Sequence, residues 1–243
     1  MTRDLRRFSC LAALAAGLAL TGAVGPARAH PPAELDRQLD ARERYFQALD
    51  RPAPDFELQD AERRPVSLDG LAGKVVVVNF IYTHCPDVCP LRAERITAIQ
   101  SLVNRTAMRN RVHFVTITTD PARDSPDVLR EYGPQHGLDP ANWVFLTNGQ
   151  DRPDATRRLA EAFGHRFVAT SDDLQLHGVV THVIDRDGRL RANFHGFDFD
   201  DTNLVLFVTV LAGHEHPSTA SDPGSVLLTA SCWTRLHGAV LGW

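Results

Sequence analysis

The chain has 243 residues, of which 26 are lysine or arginine and 30 aspartate or glutamate, giving a formal net charge of −4; 43% are hydrophobic and 4 are cysteine. That length suits one domain with a full core plus flanking segments. The acidic balance removes the electrostatic basis for a nucleic-acid partner, which needs a basic face.

Arg3, Arg6 and Arg7 precede an apolar stretch from Phe8 to Val24 and then Ala27-Arg28-Ala29, which is the pattern of a secretory signal with an A-x-A cleavage site. Residues 1–29 are therefore expected to be a signal peptide, with the mature chain starting at His30 and located in the periplasm. The apolar run is short for a membrane helix, which needs about 20 apolar residues. Left uncleaved, the same run would anchor the protein to the inner membrane. Arg6-Arg7-Phe8 does not decide the export route, and Cys10 belongs to the discarded segment. Cleavage removes four arginines and one aspartate, which brings the mature charge to about −7. Export implies a compartment where disulfides persist, and it leaves Cys85, Cys89 and the solitary Cys232.

Residues 30–51 read as a charged surface helix, Glu34 to Leu49, and a linker ahead of Pro52 and Pro54. Phe56-Glu57-Leu58 and Pro65-Val66-Ser67-Leu68 predict a short hairpin, and Val75 to Phe80 an unbroken β-branched strand of the kind found inside a covered sheet. A helix from about Leu91 to Val103, a strand at Val112–Ile117 and a helix from Ser125 or Pro126 to about Gly133 continue a βαβα alternation. Trp143–Leu146 predicts a strand and Pro153–Phe163 a helix. Gly178–Ile184 and Leu190–Phe194 form a hairpin turned at Asp185-Arg186-Asp187-Gly188, and Leu204–Leu211 is a closing helix. From His214 to Trp243 the composition shifts to a Ser/Thr/Gly-containing tail, expected to be a disordered appendage.

The chemistry concentrates in Thr83-His84-Cys85-Pro86-Asp87-Val88-Cys89-Pro90, a C-x3-C pair between that apolar strand and a helix. On a helix, a spacing of four puts both sulfurs on one face with Cβ atoms roughly 5–6 Å apart. They can then close a disulfide or hold one soft metal ion. A helix N-terminus favours the thiolate that either chemistry needs. A purely structural staple fits poorly, because closing so short a loop removes little unfolded-chain entropy.

The order of elements is that of a thioredoxin-like fold, an α/β protein with a central mixed sheet flanked by helices and an N-terminal hairpin, here over residues 52–213. Thioredoxin-type oxidoreductases use C-x2-C and face it with a cis-proline. This chain departs on both counts, since Val179 in Gly178-Val179-Val180-Thr181-His182-Val183-Ile184-Asp185 occupies the proline's place and His177 stands two residues earlier. A histidine near two cysteines supplies a third ligand, and two thiolates with one imidazole suit copper or zinc.

Cys85-Pro86-Asp87-Val88-Cys89-Pro90, Asp120-Pro121-Ala122-Arg123-Asp124-Ser125-Pro126, and His177 followed eleven residues later by Gly188 together resemble the Sco/SenC family of copper-binding cytochrome c oxidase assembly proteins, over about Pro52 to Gly213. The resemblance implies that Cys85, Cys89 and His177 bind one copper ion, as Cu(I), Cu(II) or both. It also implies delivery to the dinuclear copper centre of cytochrome c oxidase, with a copper-receiving oxidase subunit or another cuproprotein as partner, close to the respiratory membrane. That is a metallochaperone rather than an enzyme. The competing reading is a periplasmic thiol-disulfide reductase that uses Cys85 and Cys89 as its redox pair on a cuproprotein's cysteines and ignores His177. A peroxiredoxin is disfavoured, because Tyr82, Thr83 and His84 ahead of Cys85 lack the proline of that site.

Other residues near these motifs receive structural readings. Asp87 tunes the site or is a solvated loop carboxylate, and Pro90 starts the helix. His84 is an exposed loop histidine with a fourth-ligand role as the alternative. His182, five residues after His177, points to the opposite strand face and packs. His214 and His216 form a weak H-x-H metal motif in the tail. Asp120 and the run to Pro126 cap the next helix, with Ser125 or Asp124 as N-cap, and a supporting role for Asp120 near the cysteines is a further expectation.

Overall fold

The computed structural model describes residues 32–84, 88–148, 152, 154–169, 175–176 and 178–214. The expected signal peptide and the tail beyond His214, with Cys232, lie outside them. Among the described residues no helix is long and apolar enough to cross a membrane.

The chain runs α1 (Pro32–Arg42), β1 (Phe46–Pro52), β2 (Glu57–Gln59), β3 (Pro65–Ser67), β4 (Val75–Ile81), α2 (Val88–Asn104), β5 (Val112–Thr118), α3 (Pro126–His136) and β6 (Trp143–Leu146). It continues through α4 (Ala155–Ala162), β7 (Val168–Ala169), β8 (Gln175–Leu176), β9 (Val180–Ile184), β10 (Arg189–His195) and α5 (Asp201–Gly213). Six strands make one mixed sheet in the order β1-β10-β9-β4-β5-β6. β4, β5 and β6 are parallel, and β9, β10 and β1 are added antiparallel to their neighbours.

The run of valines in β4 forms a central strand because both of its faces are covered, and every residue from Val75 to Ile81 is buried. Val75, Val77 and Ile81 meet Leu35 and Leu39 of α1, Ile96 and Ile99 of α2, Leu129 of α3 and Leu204 and Phe207 of α5. Val76, Val78 and Phe80 meet Phe56, Leu58 and Leu71 of the β2–β3 region, with Leu159 and Phe163 from α4 and the residue after it. Alternation along a strand sends successive residues to these two clusters, so the continuous apolar pattern follows from a two-sided core.

The segment expected to be a surface helix and linker is corrected by the structure. The helix ends at Arg42, and Phe46–Pro52 is the edge strand β1, paired antiparallel with β10 through Phe46↔Phe194 and Gln47↔Asn193. Leu35, Leu39 and Phe46 belong to the core, and the Phe46 ring meets those of Phe194 and Phe207 edge-on at 5.2 and 5.4 Å. The charged residues that made this segment look solvated occupy its outer side: β1 shows one buried residue, Phe46, among mostly exposed ones. An edge strand needs only that much apolar character, so its pattern is weak.

His113, near the start of β5, is held neutral: burial, then the Lys74 ammonium, push its imidazole down to about 4. The unfolded chain binds that proton near 6.5. Stability from this group is therefore complete above pH 6.5 and is lost as pH falls toward 4, where the unfolded state holds the extra proton. Acidification from pH 7 to 4.5 is expected to draw about 2 kcal/mol from the folding free energy through His113. Urea midpoints across that range for wild type and His113→Phe check it, and the variant should show a shallower decline.

Candidate metal centre

β4 delivers its chain to the cysteine motif. Ile81 ends the strand, Thr83 and His84 form a turn, and α2 begins at Val88, earlier than the expected Leu91, so Pro90 lies in the first helical turn. Cys85, Pro86, Asp87 and His177 lie outside the described residues, as does the side chain of Cys89. The described residues around them define the frame.

The strongest element of that frame is Asp124, whose side chain is fully buried. It accepts hydrogen bonds from the Thr83 backbone N–H, with its two oxygens at 3.3 and 3.2 Å. It also accepts from the hydroxyls of Thr83 and Thr118. The His84 ring presents Nδ1 3.1 Å from the Thr83 hydroxyl and 3.5 Å from Asp124 Oδ1, with about half of its side chain exposed. A buried carboxylate surrounded by three donors is a strong anchor, because hydrogen bonds to a charged acceptor in a low-dielectric interior are about twice as strong as neutral ones. It fixes the turn two residues before Cys85.

Of the two expected N-cap candidates the structure selects one. Ser125 is the N-cap of α3, accepting from the Val128 N–H, with Pro126 next in the helix. Asp124 does not cap that helix but reaches across to Thr83, in the turn that follows β4. Asp120, the expected supporting carboxylate, is paired with the Arg123 guanidinium, and its N–H donates to the Thr118 hydroxyl at 2.9 Å. Both aspartates are buried, and which of them reaches Thr83 depends on how β5 and the following turn pack, so residue type alone carries no such information.

Arg92, one turn beyond Cys89 on α2, is 3% exposed. Its guanidinium donates from Nη1 to the Phe80 carbonyl at 2.8 Å and from Nη2 to the Val180 carbonyl at 2.9 Å. It thus joins the penultimate residue of β4 to the first residue of β9. The register of those strands, Asn79↔Thr181 and Val78↔His182, brings the exit of β4 and the entrance of β9 to one end of the sheet. The chain leading into Cys85 and the chain leading away from position 177 therefore emerge side by side. The Thr119 N–H holds the Ile81 carbonyl at 2.7 Å, and the Gly196 N–H holds the Val179 carbonyl at 2.7 Å, so both flanks are pinned.

On β9, His182 is 1% exposed, as a packing histidine should be. Its neighbours are polar as well as aromatic. Nδ1 lies 2.7 Å from Asn193 Oδ1 and Nε2 lies 2.9 Å from His165 Nε2, with the Phe163 ring centroid at 4.8 Å. Burial, followed by the adjacent His165, keeps the His182 imidazole well below the usual histidine range. The contacts of Asp124, Thr118, Arg92 and His165 were not legible in the sequence, since their partners lie 41, 6, 12 or 88, and 17 positions away. Among the described residues no cluster of three or more His, Cys, Asp or Glu side chains could hold a metal.

A parallel β4–β5–β6 unit, an antiparallel β9–β10 hairpin and a cysteine motif at the strand-to-helix junction define a thioredoxin-like protein. The SCO1/SenC family model matches residues 47–205, and the chain belongs to that family. The mitochondrial protein SCO2 of Saccharomyces cerevisiae is 35% identical over 161 residues, covering 64% of this chain and 51% of its own, so this chain spans about half the length of that relative. The copper-bound structure of Bradyrhizobium japonicum ScoI shares 26% identity at a TM-score of 0.54, over 66% of this chain and 99% of that one. BsSco, a member of the Sco family of cytochrome c oxidase assembly proteins in which a disulfide switch has been identified, has a similar fold at 23% identity and a TM-score of 0.58, over 68% of this chain and 96% of its own.

Proposed function

We propose that this protein is a copper-carrying assembly factor, which holds one copper ion through Cys85, Cys89 and His177 and passes it to the dinuclear copper centre of cytochrome c oxidase. The main support is the junction at Arg92. The segments that carry the cysteines and the histidine leave adjacent strands at one end of the sheet, Phe80 and Val180 being joined through one guanidinium. Copper in a relative of 26% identity agrees with this. Two soft sulfurs suit Cu(I), and an imidazole helps accommodate Cu(II). Two-electron oxidation of the thiols to a disulfide removes both sulfur ligands, which couples copper occupancy to the redox state of the compartment. Export through residues 1–29 puts that compartment outside the inner membrane.

Anaerobic copper titration of the reduced protein tests the reading. Wild type is expected to bind one copper per chain with sulfur-to-copper charge-transfer absorption. His177→Ala, its thiols intact, is expected to bind at least tenfold more weakly. Equal and weak binding by both proteins would overturn the copper reading in favour of a thiol-disulfide reductase that uses the cysteines alone.

A further inference from the structure

The end of the molecule opposite the cysteine motif carries a charge balance of its own. β4 and β5 start there side by side, at Val75↔Val112, and α2 and α5 finish there. Lys74 and Arg111 stand one residue ahead of the two strands, and Arg105 follows directly on the last residue of α2. Arg111 Nη1 donates to the Ala212 carbonyl at 3.2 Å. Arg186 donates from Nε to the Gly73 carbonyl at 2.9 Å and from Nη1 to the His214 carbonyl at 2.7 Å. Both guanidinium groups therefore meet the C-terminal carbonyls of α5, where the helix dipole favours positive charge. Lys74 and Arg109 wall a pocket of about 210 Å3 together with Asn110, Ala141 and Asn142.

These five cations are bound to carbonyls or left to solvent. Among the described residues none of Lys74, Arg105, Arg109, Arg111 and Arg186 makes an ion pair. The carboxylates nearest to them along the chain have other partners: Asp139 accepts from the Asn104 amide at 3.0 Å and the Ala141 N–H at 2.9 Å, and Asp185 pairs with Arg191. On neighbouring β10, by contrast, Arg189 and Arg191 are matched by Asp50, Asp36 and Asp185. A chain with a formal net charge of −4 thus gathers unmatched positive charge at one end.

We propose that this end is a docking surface for anionic phospholipid headgroups, with one phosphate seated between Lys74 and Arg109 and neighbouring headgroups facing Arg105, Arg111 and Arg186. The inference goes beyond copper binding and does not depend on it. A bilayer offers phosphates throughout a plane, so it meets cations on the ends of several elements without matching their spacing. Each basic side chain near such a surface adds about fivefold to binding. An acidic protein would need a complementary contour, and protein interfaces are commonly anchored by aromatic side chains at their centre. The described residues that wall the pocket include no aromatic ring. β4 spans 7 residues from this end to the cysteine motif, a rise of about 20 Å, so docking here would point the motif away from the bilayer.

The experiment measures binding of full chains to phosphatidylglycerol–phosphatidylcholine vesicles and to phosphatidylcholine vesicles. The readout is the ratio of the two affinities, which cancels any binding contributed by the apolar run from Phe8 to Val24. Wild type is expected to favour the anionic vesicles at least tenfold at about 0.01 M ionic strength, and to lose most of that preference at about 0.15 M, as the Debye length shortens from about 30 to about 8 Å. The triple variant Lys74→Gln/Arg105→Gln/Arg109→Gln is expected to lower the ratio at least tenfold. A control with the same change of net charge elsewhere, Arg37→Gln/Arg63→Gln/Arg158→Gln, is expected to keep it within about threefold. Should the triple variant not fold, Arg105→Gln/Arg109→Gln, altering two exposed side chains, decides the matter. A wild type without preference, or equal losses in the triple variant and the control, would overturn the proposal. Binding of poly-glutamate that depends on the same three cations, without vesicle preference, would give the surface to an acidic protein and overturn the lipid assignment. Release of wild type from the vesicles by inorganic phosphate at constant ionic strength would overturn it in favour of free phosphate.

Discussion

Asp124→Ala is expected to lower the folding free energy by about 3 kcal/mol, and Asp124→Asn by about 1 kcal/mol. Alanine leaves three donors without their acceptor at a site with no solvent access: the Thr83 N–H and the hydroxyls of Thr83 and Thr118. Each buried donor left unsatisfied costs about 1–3 kcal/mol, although the hydroxyls can turn and recover part of it. The Thr83 N–H cannot turn. Asparagine keeps one oxygen for the Thr83 donors and presents an NH2 to the Thr118 hydroxyl, which already accepts from the Asp120 N–H, so only part of the network is lost. Urea unfolding of the reduced, metal-free proteins checks the ranking. Because Thr83 is two residues ahead of Cys85, copper affinity should fall in the same order. If alanine and asparagine are equally mild, Asp124 does not anchor the turn.

Arg92→Leu is expected to cost about 2–3 kcal/mol. Leucine keeps some apolar contact but strands the Phe80 and Val180 carbonyls, which now receive the Nη1 and Nη2 donors. The loss is smaller than the sum of two charge-assisted bonds because the substitution also removes a cation held out of water. Arg92→Lys should fall between: an ammonium on a flexible stem serves as a point donor and does not fork to two carbonyls as a planar guanidinium does. The variants separate the two flanks of the site, so the copper affinity of Arg92→Leu should drop more than its thiol reactivity. A leucine variant as stable as wild type would show that the sheet alone holds β4 and β9 together.

The cores of the elements were legible because their signals are local. A run of β-branched residues from Val75 and a turn at Asp185–Gly188 need no tertiary information. Trp143–Leu146 has the expected bounds, and β5, α3, β10 and α5 differ from expectation by a few residues at their ends. The elements that were missed are those whose identity depends on a partner. β1 is a strand because β10 offers it an edge, and the two-residue strands β7 and β8 exist only as a pair. The start of α2 at Val88 was hidden by Pro90, which reads as a boundary but is accommodated within the first helical turn.

The division within the site has a similar origin. The sequence by itself carried the candidate chemistry: two thiols four apart, a histidine two residues before the position where thioredoxins carry proline, and through them the resemblance to the SCO1/SenC family, to which the chain belongs. Side-chain type and short spacing are properties of the chain, so no fold was needed to read them. The tertiary structure decided which side chains hold the strand ends beside the motif: Asp124 on Thr83, Arg92 between Phe80 and Val180, and His165 against His182. Those contacts join positions up to 88 apart, and only strand order and register bring such positions within hydrogen-bond distance.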